Sequence, residues 1–162
     1  MKEKYSKIIE VSMSVAAADG ISPNELMASL GTITSVPAVL EAIQYALEKN
    51  DLDFEKEEFD LLAWTEALTA SISDDIETDS PEMIDLNDAY LAEASAIIGH
   101  GFLLNNLCVG LAIYFCAQDG ISTPEAEAIR KVSKGLVNVD GKVALMMANT
   151  MQQVLASVED DG

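Results

Sequence analysis

The residues best suited to chemistry in this 162-residue chain lie in a short segment that occurs twice, one hundred positions apart. Six of nine positions are identical between residues 17–25 (AADGISPNE) and residues 117–125 (AQDGISTPE). Each copy carries an aspartate and, six residues later, a glutamate. The four carboxylates are Asp19, Glu25, Asp119 and Glu125. Because oxygen ligands without Cys or His select hard cations, these residues are candidate ligands for Ca²⁺ or Mg²⁺.

The repeated segment also has the pattern of a junction between two helices. Its glycine suits the left-handed position after a helix end, Ser22 or Ser122 would cap the next helix, and the glutamate completes a capping box. Each aspartate would then lie at a helix C-terminus, where the macrodipole disfavours a carboxylate by about 0.3–1 kcal/mol. Two interpretations stay open. Each aspartate accepts hydrogen bonds from the backbone of the next helix, or all four carboxylates converge on one cation.

A single EF-hand loop does not fit this pattern. It requires acidic or amide side chains four and two positions before the aspartate, and these positions are apolar in both copies. They are Val15, Ala17, Phe115 and Ala117. Because two copies of one unit commonly pack about a pseudo-twofold axis, we expect any cation site to lie between the copies.

The elements that position these residues are predicted to be helices throughout. Helical periodicity predominates, and no segment alternates apolar and polar residues for long enough to form a strand. The predicted helices are 3–18, 23–33, 36–49, 54–72, 81–98, 102–118, 123–136 and 140–158. We therefore expect an all-α fold, a single compact bundle of about seven or eight helices spanning 1–162. Two pseudo-twofold-related three-helix halves, repeat one (1–50) and repeat two (94–158), would be joined by an acidic helical insert (51–93).

The charge of the chain excludes several classes of ligand. Its formal net charge is −19, from 28 acidic and nine basic residues. Nucleic acid and anionic lipid are disfavoured because neutralising phosphates requires clustered Lys and Arg. Residues 51–88, the acidic block, hold fourteen of the acids and one base, Lys56. This block is either a solvated face or a docking surface that attracts a basic partner.

Neither the N-terminal segment nor the longest apolar segment is predicted to enter a membrane. The N-terminus is interrupted by Glu3 and Glu10 and is expected to form a cytosolic amphipathic helix rather than a signal peptide. Residues 94–118 carry no charge, but a Gly-His-Gly sequence breaks them, so a core helix from residue 102 is predicted instead. Cys108 and Cys116, eight positions apart on that helix, are too distant for a disulfide, as suits a reducing cytosol.

Catalytic patterns are scarce. His100 is the only histidine, and a turn or core position is expected for it. Aromatic residues make up 6% of the chain, which leaves few platforms for sugar stacking beside paired carboxylates. The basic cluster of Arg130, Lys131 and Lys134 follows Glu125 and Glu127 at helical pairing distances, so local ion pairs are expected there.

At the repeated segment the chain resembles the tellurite-resistance TerB family, all-α proteins with two related halves. Each half of such proteins carries an ADG-type helix end followed by Ser and Glu. The resemblance covers both halves and implies a small cytosolic helical domain linked to tellurite or general stress resistance, often with membrane-associated partners. It implies a divalent cation held by Asp19, Glu25, Asp119 and Glu125. The chain departs from the family in having one residue fewer between Gly and Ser and a long acidic middle.

The leading hypothesis is a non-enzymatic, cytoplasmic TerB-like protein that binds a divalent cation between its halves. It would act through protein contacts in a tellurite or general stress response, with basic or membrane-associated protein partners. Nucleic acid and direct membrane insertion are not expected, and self-association is left open. The alternative is a metal-free acidic protein-interaction module that recruits a basic partner. A hydrolase that uses clustered carboxylates is the third hypothesis.

Overall fold

Helices make up nearly all of the described part of the chain. The structure, a computed structural model, describes residues 2–16, 36, 38–49, 60–77, 86–117 and 121–160. These residues form seven helices and no strand, which confirms the predicted all-α fold. The helices are α1 (Lys2–Ala16), α2 (38–49), α3 (Leu61–Glu77), α4 (Asp88–Ile98), α5 (Phe102–Ala117), α6 (Thr123–Gly135) and α7 (Gly141–Asp160). The predicted helix 23–33 lies outside the described residues.

Helix α5 forms the centre of the core. All but three of its sixteen residues are buried, so it has no polar face, in keeping with its uncharged sequence. It packs against α1, α6 and α7. Helix α1 also contacts α3, α4 and α6, with the ring of Tyr5 packed edge-on against Trp64 at 5.6 Å between centroids. Burial of this apolar surface is the main favourable contribution to folding.

Two predicted helices begin later than the sequence pattern suggested. The predicted helix 54–72 is interrupted at Asp60, whose Oδ1 accepts a hydrogen bond from the N–H of Ala63 at 3.1 Å. The predicted helix 81–98 is interrupted at Asn87, whose Oδ1 accepts from the N–H of Tyr90 at 2.8 Å. In both cases a short polar side chain satisfies a free backbone donor, so the helix starts after it.

The helices approach one another most closely at two glycines. A Cβ atom added to Gly110 of α5 would lie 3.0 Å from Cβ of Met147 and 3.1 Å from the carbonyl oxygen of Ala144, both on α7. A Cβ atom added to Gly135 at the end of α6 would lie 2.7 Å from Cβ of Leu91 on α4. The absence of a side chain at each position is therefore what allows these helix pairs to pack at this distance.

The long uncharged segment contains the predicted break. Helix α4 ends at Ile98 and α5 begins at Phe102, and none of the described helices is both long and apolar enough to span a bilayer. Cys108 and Cys116 are both buried, and no disulfide joins them to each other. Burial raises the pKa of Cys108 to about 12 from its usual 9.0.

Candidate metal centre

The structure describes one of the four candidate ligands. Glu125 is the third residue of α6, whereas Asp19, Glu25 and Asp119 lie outside the described residues. The convergence of the four carboxylates therefore stays a prediction. Within the described part of the chain, no group of three or more His, Cys, Asp or Glu side chains could hold a metal ion.

One oxygen of Glu125 caps the helix that carries it. Oε1 of Glu125 accepts a hydrogen bond from the backbone N–H of Ser122 at 3.0 Å, and the Ser122 hydroxyl oxygen accepts from the N–H of Glu125 at 3.3 Å. Pro124 lies in the first turn, where a helix does not need its N–H. The capping box predicted for this copy of the repeat is confirmed, and it fixes the orientation of the carboxylate.

The other oxygen of Glu125 is buried without a described partner. The residue is 1% exposed, and Oε2 accepts no hydrogen bond from any residue that the structure describes. No described cationic side chain forms an ion pair with it either. Burying a carboxylate is costly unless a cation or hydrogen-bond donors compensate it, and most buried polar atoms in folded proteins do have a partner. Oε2 is therefore a position at which a cation would be favourable.

The helices that lead into the two copies of the repeat pack against each other. Helix α1 ends at Ala16 and α5 ends at Ala117, where the two copies begin, and the two helices are in contact. The Cys108 thiol donates a weak hydrogen bond to the carbonyl oxygen of Ile8 at 3.9 Å. These two residues are one hundred positions apart, which is the offset of the repeat. Contact between equivalent positions is expected of two units packed about a pseudo-twofold axis.

A polar cluster between α1 and α4 was missed by the sequence analysis. Oε1 of Glu10 accepts hydrogen bonds from Nζ of Lys7 at 3.0 Å and from the hydroxyl of Tyr90 at 2.6 Å. Nζ of Lys7 also lies 5.2 Å from the centroid of the Tyr90 ring. Burial, then the hydrogen bond to Glu10, raises the pKa of Tyr90 well above its usual value of 10.0. Tyr90 is therefore a hydrogen-bond donor rather than a base, and the cluster joins the two helices.

This cluster borders an open cleft of about 440 Å³. The cleft is lined by Glu3, Ser6, Lys7, Glu10 and Ile97. The spacing of Lys7 and Glu10 on one helix is visible in the sequence. The contact with Tyr90 joins residues 80 positions apart, and no local pattern indicates it.

Two buried asparagines at the start of α5 hold the neighbouring loops. Nδ2 of Asn105 donates to the carbonyl oxygens of Gly99 at 3.0 Å and Gly101 at 2.6 Å. Oδ1 of Asn106 accepts from the N–H of Asp140 at 2.8 Å, just before α7. Asn105 provides donors to, and Asn106 an acceptor for, backbone groups that lie just outside α5 and α7. Their arrangement is that of a structural junction.

His100 lies in the bend between α4 and α5. Its side chain is exposed, and its carbonyl oxygen accepts a hydrogen bond from the side chain of Asn138. Asn138 itself has a positive φ of 59°, a conformation that asparagine tolerates better than most residues. Of the two positions expected for His100, a turn or the core, the structure shows the turn.

The basic cluster on α6 differs from its prediction. Glu127, Arg130, Lys131 and Lys134 follow one another at helical intervals, and all four side chains are exposed. Among the described residues, no ion pair joins any of the three cations to a carboxylate, so the expected local pairs do not form there. Glu125 points into the interior as part of the capping box, and only Glu127 shares the face. This basic α6 face carries three cations and one anion.

Comparison with known protein families, sequences and structures identifies no relative of this chain. No family model matches the chain, and no curated protein or solved structure matches it significantly. The likeness to the TerB family therefore depends on the repeated segment alone.

Proposed function

We propose that this protein is a non-enzymatic TerB-like domain that binds a divalent cation, Ca²⁺ or Mg²⁺, between its two halves. The ligands would be Asp19, Glu25, Asp119 and Glu125. The protein would act in the cytoplasm through contacts with other proteins in a tellurite or general stress response. The stress-related part of this proposal comes from the resemblance, and the cation-binding part also has support in the structure.

The observation that carries the proposal is that one oxygen of the Glu125 carboxylate is buried without a described hydrogen-bond partner. The capping box accounts for Oε1, but it leaves Oε2 buried and without a partner among the described residues. A cation at Oε2 would compensate the desolvation of the carboxylate, and Ca²⁺ and Mg²⁺ are the cations that oxygen ligands prefer. Contact between α1 and α5 at equivalent positions supports the idea that the two repeats face each other.

Calorimetric titration with CaCl₂ and MgCl₂ tests the proposal, with thermal unfolding as a second measurement. Glu125→Gln is the informative variant, because Gln retains a side-chain oxygen for the capping box and removes the charge. Glu127→Gln is the matched control, since it removes the same charge two residues away on the exposed face. At one hundred times its Kd, the cation should stabilise wild type by about 2.7 kcal/mol, or about 5–10 °C in Tm.

We expect Glu127→Gln to retain this shift and Glu125→Gln to lose most of it. Screening of the −19 net charge would stabilise all the variants alike, so it is distinguished from binding at a site. Asp19→Asn combined with Asp119→Asn extends the test to the other aspartates. Equal shifts in wild type, Glu125→Gln and the double variant would contradict the proposal.

The alternative function is a metal-free acidic interaction module. The capping box supports this alternative, because it gives Glu125 a structural role without a cation. The described carboxylates on α2, α3 and α4 are exposed, so a basic partner could reach them. Neutralising the acids between Asp74 and Asp88 should abolish capture of a basic partner and leave any cation response intact. Unchanged capture by this variant would contradict the alternative.

A further inference from the structure

We propose that the basic α6 face is a docking surface for the exposed α3 face of a second copy of this chain, the face that carries Leu62 and Glu66. The proposal is independent of the cation site. Its starting point is that Arg130, Lys131 and Lys134 are exposed together and make no ion pair with any carboxylate among the described residues. A surface of this sign is unusual on a chain whose net charge is −19.

The complementary surface is provided by the chain itself. Glu66 is exposed on α3, one helical turn after Leu62, whose side chain is 71% exposed and is the most exposed of the large hydrophobic side chains described. A carboxylate beside an apolar side chain suits a surface of long basic side chains, because their methylene groups cover apolar area while their charges pair. The charge of Glu66 is opposite to that of the basic α6 face, so the two surfaces attract each other.

The net charge of the chain determines the conditions under which two copies associate. For a domain of this length, the centres of two touching copies are roughly 40 Å apart. At 0.01 M salt the Debye length is about 30 Å, and the net charges repel across this distance. At 0.15 M the Debye length is about 8 Å, so salt screens the repulsion between the two centres more strongly than it screens the attraction within ion pairs in contact. At 1 M it is about 3 Å, and the exposed ion pairs are also weakened.

Sedimentation velocity of the full chain at increasing protein concentration tests the proposal. We expect monomers at 0.01 M NaCl, a mass that rises with concentration at 0.15 M, and monomers again at 1 M. Because the contact joins two different surfaces, the mass should continue to rise beyond that of a dimer. Association that strengthens continuously up to 1 M NaCl would indicate an apolar contact and overturn the proposal, as would a monomer under all three conditions.

Charge reversal locates the contact. Lys131→Glu should weaken association at 0.15 M NaCl roughly fivefold or more, because an attractive pair becomes a repulsive one. Lys49→Glu is the matched control, since Lys49 is an exposed lysine on α2 and its reversal changes the net charge by the same amount. An equal effect of the two variants would overturn the proposal.

The reciprocal variant Glu66→Lys identifies the other side of the contact. It should weaken association as Lys131→Glu does, while a mixture of the two variants should associate again, because each provides the surface that the other lacks. If the mixture stays monomeric, the assignment of the α3 face is wrong. All these positions are exposed, so unchanged melting temperatures would show that the variants remain folded.

Discussion

The position of α6 determines where both the Glu125 carboxylate and the basic α6 face lie. The substitution Gly135→Ala tests the close contact between α6 and Leu91 of α4 that sets this position. The added Cβ would lie 2.7 Å from Cβ of Leu91 and 2.8 Å from its Cδ1, about 1 Å closer than carbon atoms normally pack. Leu91 is 2% exposed, and its Cβ, the nearest atom, cannot be moved away by a change of rotamer. Overpacking of this kind costs about 1–3 kcal/mol, and the higher helix propensity of alanine offsets at most about 1 kcal/mol of it.

Urea and thermal unfolding followed by circular dichroism would measure this effect. We expect a net loss of about 1–2 kcal/mol, which corresponds to a decrease of roughly 2–8 °C in Tm for a chain of this length. Gly141→Ala is the matched control, because no atom beyond its chain neighbours and its own helical turn lies within 4 Å of the added Cβ, and it should be neutral or slightly stabilising. In a Leu91→Ala background the cost of Gly135→Ala should fall, since Cδ1 and Cγ of Leu91 are gone and only its Cβ remains close to the added atom. The same cost in both backgrounds would refute the packing described here.

Two further predictions concern the capping box and the buried thiol. Ser122→Ala should destabilise the protein by about 1 kcal/mol in chemical unfolding, because the N–H of Glu125 loses its acceptor; no change would mean that water replaces the cap. The Cys108 thiol has a pKa of about 12 when it is buried in the folded protein and 9.0 in the unfolded chain. Above pH 9 the thiol therefore ionises in the unfolded chain but not in the folded protein, and the free energy of unfolding decreases as pH rises from 9 towards about 12. Cys108→Ala should therefore reduce the loss of unfolding free energy between pH 8 and pH 11, and an unchanged slope would contradict the burial of this thiol.

The sequence predicts a helix end well where a glycine or a capping box marks it. The break before Phe102 and the start of α6 after Ser122 follow from glycine and from a capping box. The starts of α3 and α4 were predicted too early, because Asp60 and Asn87 lie in polar segments where a capping residue resembles any exposed helical residue. Capping depends on a local backbone conformation that residue type alone does not specify.

The site is less predictable than the helices. The role of Glu125 in the capping box follows from its spacing to Ser122, but the burial of its second oxygen depends on tertiary packing. The hydrogen bond between Glu10 and Tyr90 likewise depends on how α1 and α4 meet. For Arg130, spacing alone predicted an ion pair with Glu127 three residues earlier, and among the described residues this pair does not form although both side chains are exposed.

The most direct test of the cation proposal is a crystal structure of the full chain soaked with MnCl₂, with anomalous scattering used to locate the metal. We predict an anomalous peak within about 2.5 Å of Oε2 of Glu125, with oxygen ligands from Asp19, Glu25 and Asp119 completing the site. A protein donor hydrogen-bonded to Oε2, with no anomalous peak beside it, would contradict the account.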